Sequence, residues 1–185
     1  IFGANASGKS NFFLALRAAI LLIRTSKYRQ PGDPLDLIVP FLFSADSTGK
    51  PTSFEFVFLV DNIKYVYGFS ATREKVEKEY LYAYKTAKVT TIFERDITAK
   101  KEYRYTVPAL KKELTPIEER NTPNKLFLAT ATVWNCKETE IPFRWFNEKI
   151  DIYSTDYNEM LPLVSPMYEN DQDGSLKSFM INILQ

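Results

Sequence analysis

The chain has 185 residues, enough for one substantial hydrophobic core, and its 24 lysine and arginine residues balance 23 aspartate and glutamate residues. This near-neutral balance disfavours a surface built chiefly for direct binding of nucleic acid. With one cysteine and no histidine, the composition excludes an internal disulfide, a cysteine–histidine zinc site and histidine-dependent nucleophilic catalysis.

The first element is a phosphate-binding motif. Residues 3–10, GANASGKS, match the P-loop pattern G-x-x-x-x-G-K-[ST] at all of its fixed positions. Ile1-Phe2 is typical of the end of a buried strand, and residues 11–24 predict a helix because they contain neither glycine nor proline. Strand, glycine-rich turn and helix together are the context that the motif requires, so the sequence predicts phosphate binding here.

Each residue type in this motif has a chemical reason to be there. The glycines would let the backbone N–H groups of residues 5–9 wrap a β-phosphate, and the helix start would add partial positive charge. Lys9 would reach the β- and γ-phosphates, and the Ser10 hydroxyl would coordinate Mg²⁺. The predicted nucleotide-binding residues of the motif are Gly3, Asn5, Ala6, Ser7, Gly8, Lys9 and Ser10.

The segment after this helix contains breakers and loops. Residues 29–34 hold two prolines and a glycine, and Pro40 makes residues 35–43 an extended or edge segment rather than a central strand. Gly49-Lys50 lacks the upstream glycine of a P-loop and precedes a proline, so it is interpreted as part of a loop over residues 44–52.

Strand patterns dominate the next part of the chain. They predict strands at residues 53–60, 63–71, 76–84, 90–95 and 102–107. Asp61-Asn62 forms a two-residue hairpin turn, because both residues tolerate the left-handed backbone that such turns need. The strands therefore predict an antiparallel meander. Its aromatic residues are interpreted as core rather than as a base-stacking surface, because little positive charge accompanies them.

Helical patterns follow Pro108. They predict helices at residues 109–114, 124–134, 138–149 and 174–184, and a strand or extended link at residues 151–157. Pro142 is expected to confine the third of these helices to its first turn or to kink it. The predicted organisation is a P-loop and antiparallel sheet over residues 1–107, followed by a mostly helical extension over residues 108–185 that is truncated at Gln185.

Location and completeness can also be predicted. The single thiol, Cys136, is consistent with a reducing compartment, and the longest apolar run, residues 18–23, is too short to cross a membrane. We therefore expect a cytoplasmic protein without membrane association. Because the sequence opens inside a strand almost on top of a phosphate-binding turn, we also expect it to be an excerpt of a longer chain.

The rest of the sequence narrows the class of nucleotide protein. A Ras-like GTPase needs Asn-Lys-x-Asp to recognise guanine, but residues 124–127 end in Phe127 and lie in an apolar pattern. A nucleoside kinase would alternate strands and helices, whereas consecutive hairpin-linked strands follow the P-loop helix here. This layout matches the first lobe of ABC-type ATPases.

Residues 3–20, GANASGKSNFFLALRAAI, resemble the nucleotide-binding start of the SMC/RecF/OLD-like branch of ABC ATPases. Within that branch they are most similar to bacterial "AAA family ATPases" related to abortive-infection and other phage-defence proteins. Asn11, directly after Gly8-Lys9-Ser10, belongs to this likeness and joins the predicted nucleotide-binding residues. Weaker likeness lies at Pro40-Phe41, Tyr65-x-Tyr67-Gly68-Phe69, Glu79-x-Leu81-Tyr82 and Phe93-Glu94-Arg95.

The resemblance implies an α/β fold with α+β character, namely a P-loop NTPase with an ABC-type first lobe, an antiparallel meander and following helices. It also implies Mg²⁺ and ATP as ligands and a homodimer of heads that sandwiches ATP. Hydrolysis in the complete protein would drive a partner nuclease or another effector, in defence or in a process related to nucleic acids.

The sequence departs from the family pattern at the catalytic positions. Residues 57–61 fit the start of a Walker B strand, but Asn62 replaces the glutamate that would orient water, and the segment is explained as a strand entering a hairpin. Neither a signature motif nor a switch histidine occurs, so no catalytic residue is identified. We expect this chain to bind nucleotide weakly and not to hydrolyse it. The alternatives are a non-catalytic interaction module with a regulatory nucleotide site and a small-molecule P-loop kinase.

Overall fold

The structure is a computed structural model that describes residues 8–39, 50–150, 166 and 169–184. The chain divides into two compact units, residues 1–150 and residues 151–185. The strand expected at residues 1–2 and the link expected at residues 151–157 lie outside the described residues. The boundary between residues 107 and 108 stays a prediction, although the helices that directly follow it belong to the first unit with the sheet.

The first helix, α1, spans Lys9–Thr25 and continues into a short 3-10 turn at Ser26–Tyr28, which confirms the helix predicted after the P-loop. Only its second half is packed: Ala19, Ile20, Leu22 and Ile23 are fully buried. The first two turns are exposed although they carry apolar side chains, with Phe12 at 58% and Leu14 at 55% exposure. The helix is therefore anchored to the rest of its unit through its C-terminal half.

The predicted antiparallel meander is confirmed. Its strands are β1 (Thr52–Val60), β2 (Ile63–Ala71), β3 (Val76–Tyr84), β4 (Thr90–Asp96) and β5 (Tyr103–Arg104), and they neighbour one another in chain order. Asp61 and Asn62 take φ values of 49° and 61°, the left-handed backbone expected for the two-residue hairpin turn. The fifth strand is shorter than the predicted 102–107, because Val107 is already the N-cap of the next helix.

One face of the sheet forms the core. Phe69, Tyr65, Tyr67 and Phe93 are buried on this face, so these aromatic residues of the meander pack in the interior as predicted. Tyr80 and Tyr82 of β3 instead stack on each other on the outer face, where they are half-buried. At its centre lies Phe146, whose ring contacts Phe56, Phe58 and Tyr67 at centroid distances of 5.1, 5.2 and 5.5 Å. These are the separations at which edge-to-face aromatic pairs attract each other beyond simple burial.

Four helices whose bounds the structure describes follow the sheet along the sequence. They are α2 (Pro108–Glu118), α3 (Phe127–Val133), α4 (Lys137–Glu148) and α5 (Ser175–Leu184). The prediction of 109–114 for α2 was too short, because the apolar stripe of Leu110 and Leu114 continues to Ile117. Helix α3 begins later than predicted, because a turn closed by the Lys125 N–H to the Thr122 carbonyl occupies its expected start.

Pro142 does not confine α4 to its first turn, so that part of the expectation was wrong, and the alternative, a kink at Pro142, stays a prediction. The helix runs through Pro142 to Glu148. A proline there removes one intrahelical hydrogen bond, the one to the carbonyl of residue 138. Burial of Phe143 and Phe146 on the far side of the proline offsets this loss and keeps the helix continuous.

The second unit is described through α5 and the turn before it. The Asp171 carboxylate accepts hydrogen bonds from the N–H groups of Leu176 and Lys177 at 3.2 and 2.9 Å, which caps the start of the helix. Three of its apolar side chains are exposed, Phe179 at 61%, Ile181 at 55% and Met180 at 37%. None of the helices in residues 8–39, 50–150 and 169–184 is long and apolar enough to cross a bilayer.

Gly68 has a packing role on the outer face of the sheet. Glu55, Gly68 and Tyr80 are paired in one row across β1, β2 and β3. The Tyr80 ring crosses directly over Gly68, and its hydroxyl donates to the Glu55 carboxylate at 2.6 Å. Burial, together with this hydrogen bond and the charge of Glu55, raises the pKa of Tyr80 to about 12.

We expect Gly68→Ala to displace Tyr80, because the new Cβ would lie 2.3 Å from two atoms of its phenol. The loss in the free energy of unfolding should be about 1–3 kcal/mol, as for other overpacked sites. Urea denaturation measures it, and Ser70→Ala, on the same strand and face, is the control. If Tyr80→Ala does not reduce the cost of Gly68→Ala, the clash is not its cause.

Candidate nucleotide-binding site

The described part of the predicted site is the first turn of α1. Gly8 is the N-cap, with a φ of 83° that favours glycine, and its carbonyl accepts the first helical hydrogen bond from the Phe12 N–H at 3.0 Å. No side chain in the described residues caps this end of the helix. Uncapped backbone N–H groups at a helix start are the usual binding partners of a phosphate.

The structure brings four of the predicted residues together on this turn: Gly8, Lys9, Ser10 and Asn11. The other four, Gly3, Asn5, Ala6 and Ser7, lie outside the described residues. Lys9 is partly buried, whereas Ser10 and Asn11 are exposed. A lysine, a hydroxyl and a helix start in consecutive positions offer the cation, the Mg²⁺ ligand and the dipole that a nucleotide triphosphate requires.

The donor set fits Mg²⁺ held together with phosphates rather than by protein alone. Within the described ranges no cluster of acidic, cysteine or histidine side chains could hold a metal ion by itself. Magnesium in nucleotide sites typically keeps its waters and binds one or two protein ligands together with phosphate oxygens. Ser10 is the residue that would hold it here.

A family model described as "AAA domain, putative AbiEii toxin, Type IV TA system" matches residues 1–108. The chain belongs to this AAA family. The matched range contains the P-loop, α1 and the whole antiparallel sheet. Neither a curated protein nor a solved structure matches the chain significantly.

Membership in a P-loop AAA-type ATPase family sets the chemistry expected of this chain. Such ATPases bind nucleotide and as a rule use Mg²⁺, and both properties belong to the family. The observed mixed α/β architecture, with α1 followed by a five-stranded antiparallel sheet, is consistent with a P-loop NTPase.

Asp61 lies too far from the first turn of α1 to complete a Walker B site. Thr52 and Phe54, at the start of β1, line the same cavity as Asn11. Asp61 is at the other end of the strand, about 23 Å beyond Phe54 at the usual rise per residue. The interpretation of residues 57–61 as a strand entering a hairpin is therefore supported.

Sequence reasoning missed a buried carboxylate network. Glu79, on the inner face of β3, is fully buried, and its two oxygens accept hydrogen bonds from the N–H groups of Phe127 at 2.6 Å and Leu128 at 2.9 Å. The Tyr67 hydroxyl also donates to it, at 2.9 Å. Glu79 thus caps the start of α3 from a distant strand and docks that helix on the sheet.

Arg95 supplies the neighbouring positive charge. It is paired directly with Glu79 across β3 and β4, and its exposure is only 2%. Its guanidinium donates to the Glu102 carboxylate at 2.7 Å and to the Lys125 carbonyl at 2.9 Å. Burial raises the pKa of Glu79, and the charge of Arg95 and the three donors oppose that rise.

One sequence signal could have found this network. Glu79 and Arg95 both occupy inward-facing positions in strands whose other inward residues, Leu81 and Phe93, are apolar. Charged residues at such positions are almost never fully buried unless they are paired. The network is structural, and nothing places it beside Lys9 and Ser10.

Proposed function

We propose that the chain binds Mg²⁺-ATP through its P-loop. The observation that carries this proposal is the start of α1, which no side chain of the described residues caps. Gly8 is in the left-handed conformation there, and Lys9 and Ser10 follow it inside the range of the AAA family match. Backbone N–H groups of residues 5–9 hold the β-phosphate in this proposal. The Lys9 ammonium and the Mg²⁺ at Ser10 neutralise charge on the γ-phosphate.

At a finer level, the chain is the nucleotide-binding part of an ABC-type head of the SMC/RecF/OLD-like branch. The antiparallel meander directly after the P-loop helix supports this assignment. Two heads would sandwich ATP as a homodimer, and hydrolysis in the complete protein would drive a nuclease or another effector. The family description, which names an abortive-infection toxin, favours a role in phage defence.

A non-catalytic interaction module with a regulatory nucleotide site is the second candidate. The exposed apolar side chains of Val57 and Leu59 on the sheet and of Phe12 on α1 favour it, because such residues suit contact with another protein. A small-molecule P-loop kinase would need a mostly parallel sheet, so the antiparallel sheet observed here argues against it.

Lys9→Ala tests the nucleotide site. We expect wild-type protein to bind a fluorescent ATP analogue only with Mg²⁺ present, and Lys9→Ala to weaken binding at least tenfold, because charge-assisted contacts to the phosphates are lost. Lys50→Ala removes the same charge outside the P-loop and should leave binding unchanged. Absence of binding to wild-type protein, or equal loss in both variants, would contradict the proposal.

Turnover is a separate expectation. Because no Walker B glutamate that could orient water is identified in the sequence, the chain should not release phosphate from ATP above background. A malachite-green assay with Lys9→Ala as the blank measures this. ATPase activity that disappears in Lys9→Ala would show that a catalytic carboxylate has been overlooked.

A further inference from the structure

The outer edge of β1 presents unpaired backbone groups. β1 is an end strand of the sheet, and no strand in the described residues pairs with its far side. Val60 and Ile63 flank the two-residue turn and therefore form a hydrogen-bonded pair, and such pairs alternate along the strand. The N–H and C=O groups that face away from β2 belong to Ser53, Glu55, Val57 and Leu59, and these four residues define the β1 edge.

In the residues that the structure describes, the β1 edge has little of the protection that natural edge strands usually have. Edge strands are commonly short, charged, bulged or interrupted by proline. β1 has nine residues in regular register with β2, and Glu55 is its single charged residue. Val57 and Leu59 are 62% and 63% exposed. At the opposite side of the sheet, β5 has only two residues, as a protected edge would.

An apolar groove borders the β1 edge on the inner side of the sheet. This α1–β1 groove is a cavity of about 540 Å³. It is lined by Thr52 and Phe54 of β1, by Leu14, Ala15 and Ala18 of α1 and by residues 37–39, with Asn11 as a polar residue of its lining. In an added strand, every second side chain would point to the inner side of the sheet, and those beside Thr52 and Phe54 would enter the groove.

We propose that the β1 edge and the α1–β1 groove bind an extended strand of a partner protein by β-strand addition. The partner strand pairs its backbone with the β1 edge and places apolar side chains, at alternate positions, in the groove. This is the recognition mode in which main-chain hydrogen bonds supply affinity and pockets for alternate side chains supply specificity.

Charge identifies the occupant as a partner strand with a basic residue opposite Glu55. Two copies of β1 can align their edges antiparallel about Glu55, Phe56 or Val57. These registers place Glu55 opposite a second Glu55, opposite Val57 or opposite Leu59. In none of these three registers does a positively charged residue lie opposite Glu55. Opposite charges directly across a sheet attract each other, and like charges repel. A second copy of this chain is therefore the poorer match.

Amide hydrogen exchange by NMR tests the edge in the purified chain. The amides of Ser53, Glu55, Val57 and Leu59 should exchange fast, and those of Phe56 and Phe58, which pair with β2, should exchange slowly. Protection of the odd-numbered amides in monomeric protein would mean that residues of the chain itself already cover the edge, and the proposal would be overturned.

Binding is measured by fluorescence anisotropy with the labelled peptide TVTVKITVK, which alternates apolar and polar residues and carries a central lysine. Saturable binding is expected, and absence of binding overturns the proposal. Replacing the central lysine by glutamate should weaken binding about threefold. Equal affinity for the two peptides would show that Glu55 does not select a basic residue, and the proposed partner strand would then be wrong.

Variants of the chain locate the site. Val57→Pro removes an outward N–H without breaking the ladder to β2 and should weaken peptide binding about fivefold or more, whereas Val57→Thr should leave it within about twofold. Ala15→Phe fills the groove without changing any residue of β1 and should also weaken binding. If neither Val57→Pro nor Ala15→Phe does so, the peptide binds elsewhere. A dimer in light scattering that Val57→Pro dissociates would assign the edge to a second copy and overturn the proposal.

Discussion

Replacing Glu79 by alanine should lower the free energy of unfolding by about 3–5 kcal/mol, enough to unfold much of a marginally stable domain. The substitution leaves the N–H groups of Phe127 and Leu128 and the hydroxyl of Tyr67 without their acceptor in the core. It also removes the negative charge that faces the buried Arg95 across the strand pair. Chemical denaturation followed by circular dichroism measures the loss.

Two milder substitutions separate the parts of this effect. Tyr67→Phe removes one hydrogen-bond donor and keeps the ring, so it should lower the free energy of unfolding by about 1 kcal/mol. Glu79→Gln keeps one acceptor oxygen but turns an amide group towards a backbone donor, so an intermediate loss of about 1–3 kcal/mol is expected. If Glu79→Ala costs no more than Tyr67→Phe, Glu79 does not hold α3 on the sheet.

Replacing Phe146 by alanine should also cost about 3–5 kcal/mol, the range for large-to-small changes of aromatic residues in a core. The ring is fully buried and lies between α4 and the sheet, in contact with Phe56, Phe58 and Tyr67. Its loss leaves a cavity at the junction through which α4 packs on β1 and β2. Thermal and urea unfolding of the purified variant measure the change in the free energy of unfolding.

Phe12→Ala is the matched control for this cavity. Phe12 is 58% exposed on the first turn of α1, so the same change of side chain should alter the free energy of unfolding by no more than about 0.5 kcal/mol. Similar losses for the two phenylalanines would contradict a core centred on Phe146.

The sheet could be predicted from the sequence because its signals are local. Aromatic residues at every second position of β1 and β2 fix which face is buried, and Asp61-Asn62 fixes the turn and therefore the register. The first residues of α1 were predictable for the same reason, since the P-loop pattern itself specifies a helix start.

The parts that could not be predicted depend on contacts distant in sequence. Helix α4 passes Pro142 because Phe143 and Phe146 are buried against other elements, which no local propensity contains. The docking of α3 depends on Glu79, whose carboxylate accepts a hydrogen bond from the N–H group of Phe127, 48 residues later in the sequence. The unpaired edge of β1 likewise becomes visible only when the strand order is known.

The anchoring of α1 has a mechanical consequence. Arg24, in its last turn, donates to the carbonyls of Phe146 and Ile150, and the buried residues of the helix lie in the same half. Within the described residues, α1 is therefore held at its C-terminal end, whereas Ser10 and Asn11 at its start are exposed. Local unfolding of its first two turns should therefore require less free energy than local unfolding of its last two. In the described part of the chain, the last turn of α1 is therefore joined directly to the end of α4, the helix whose Phe146 packs on the sheet.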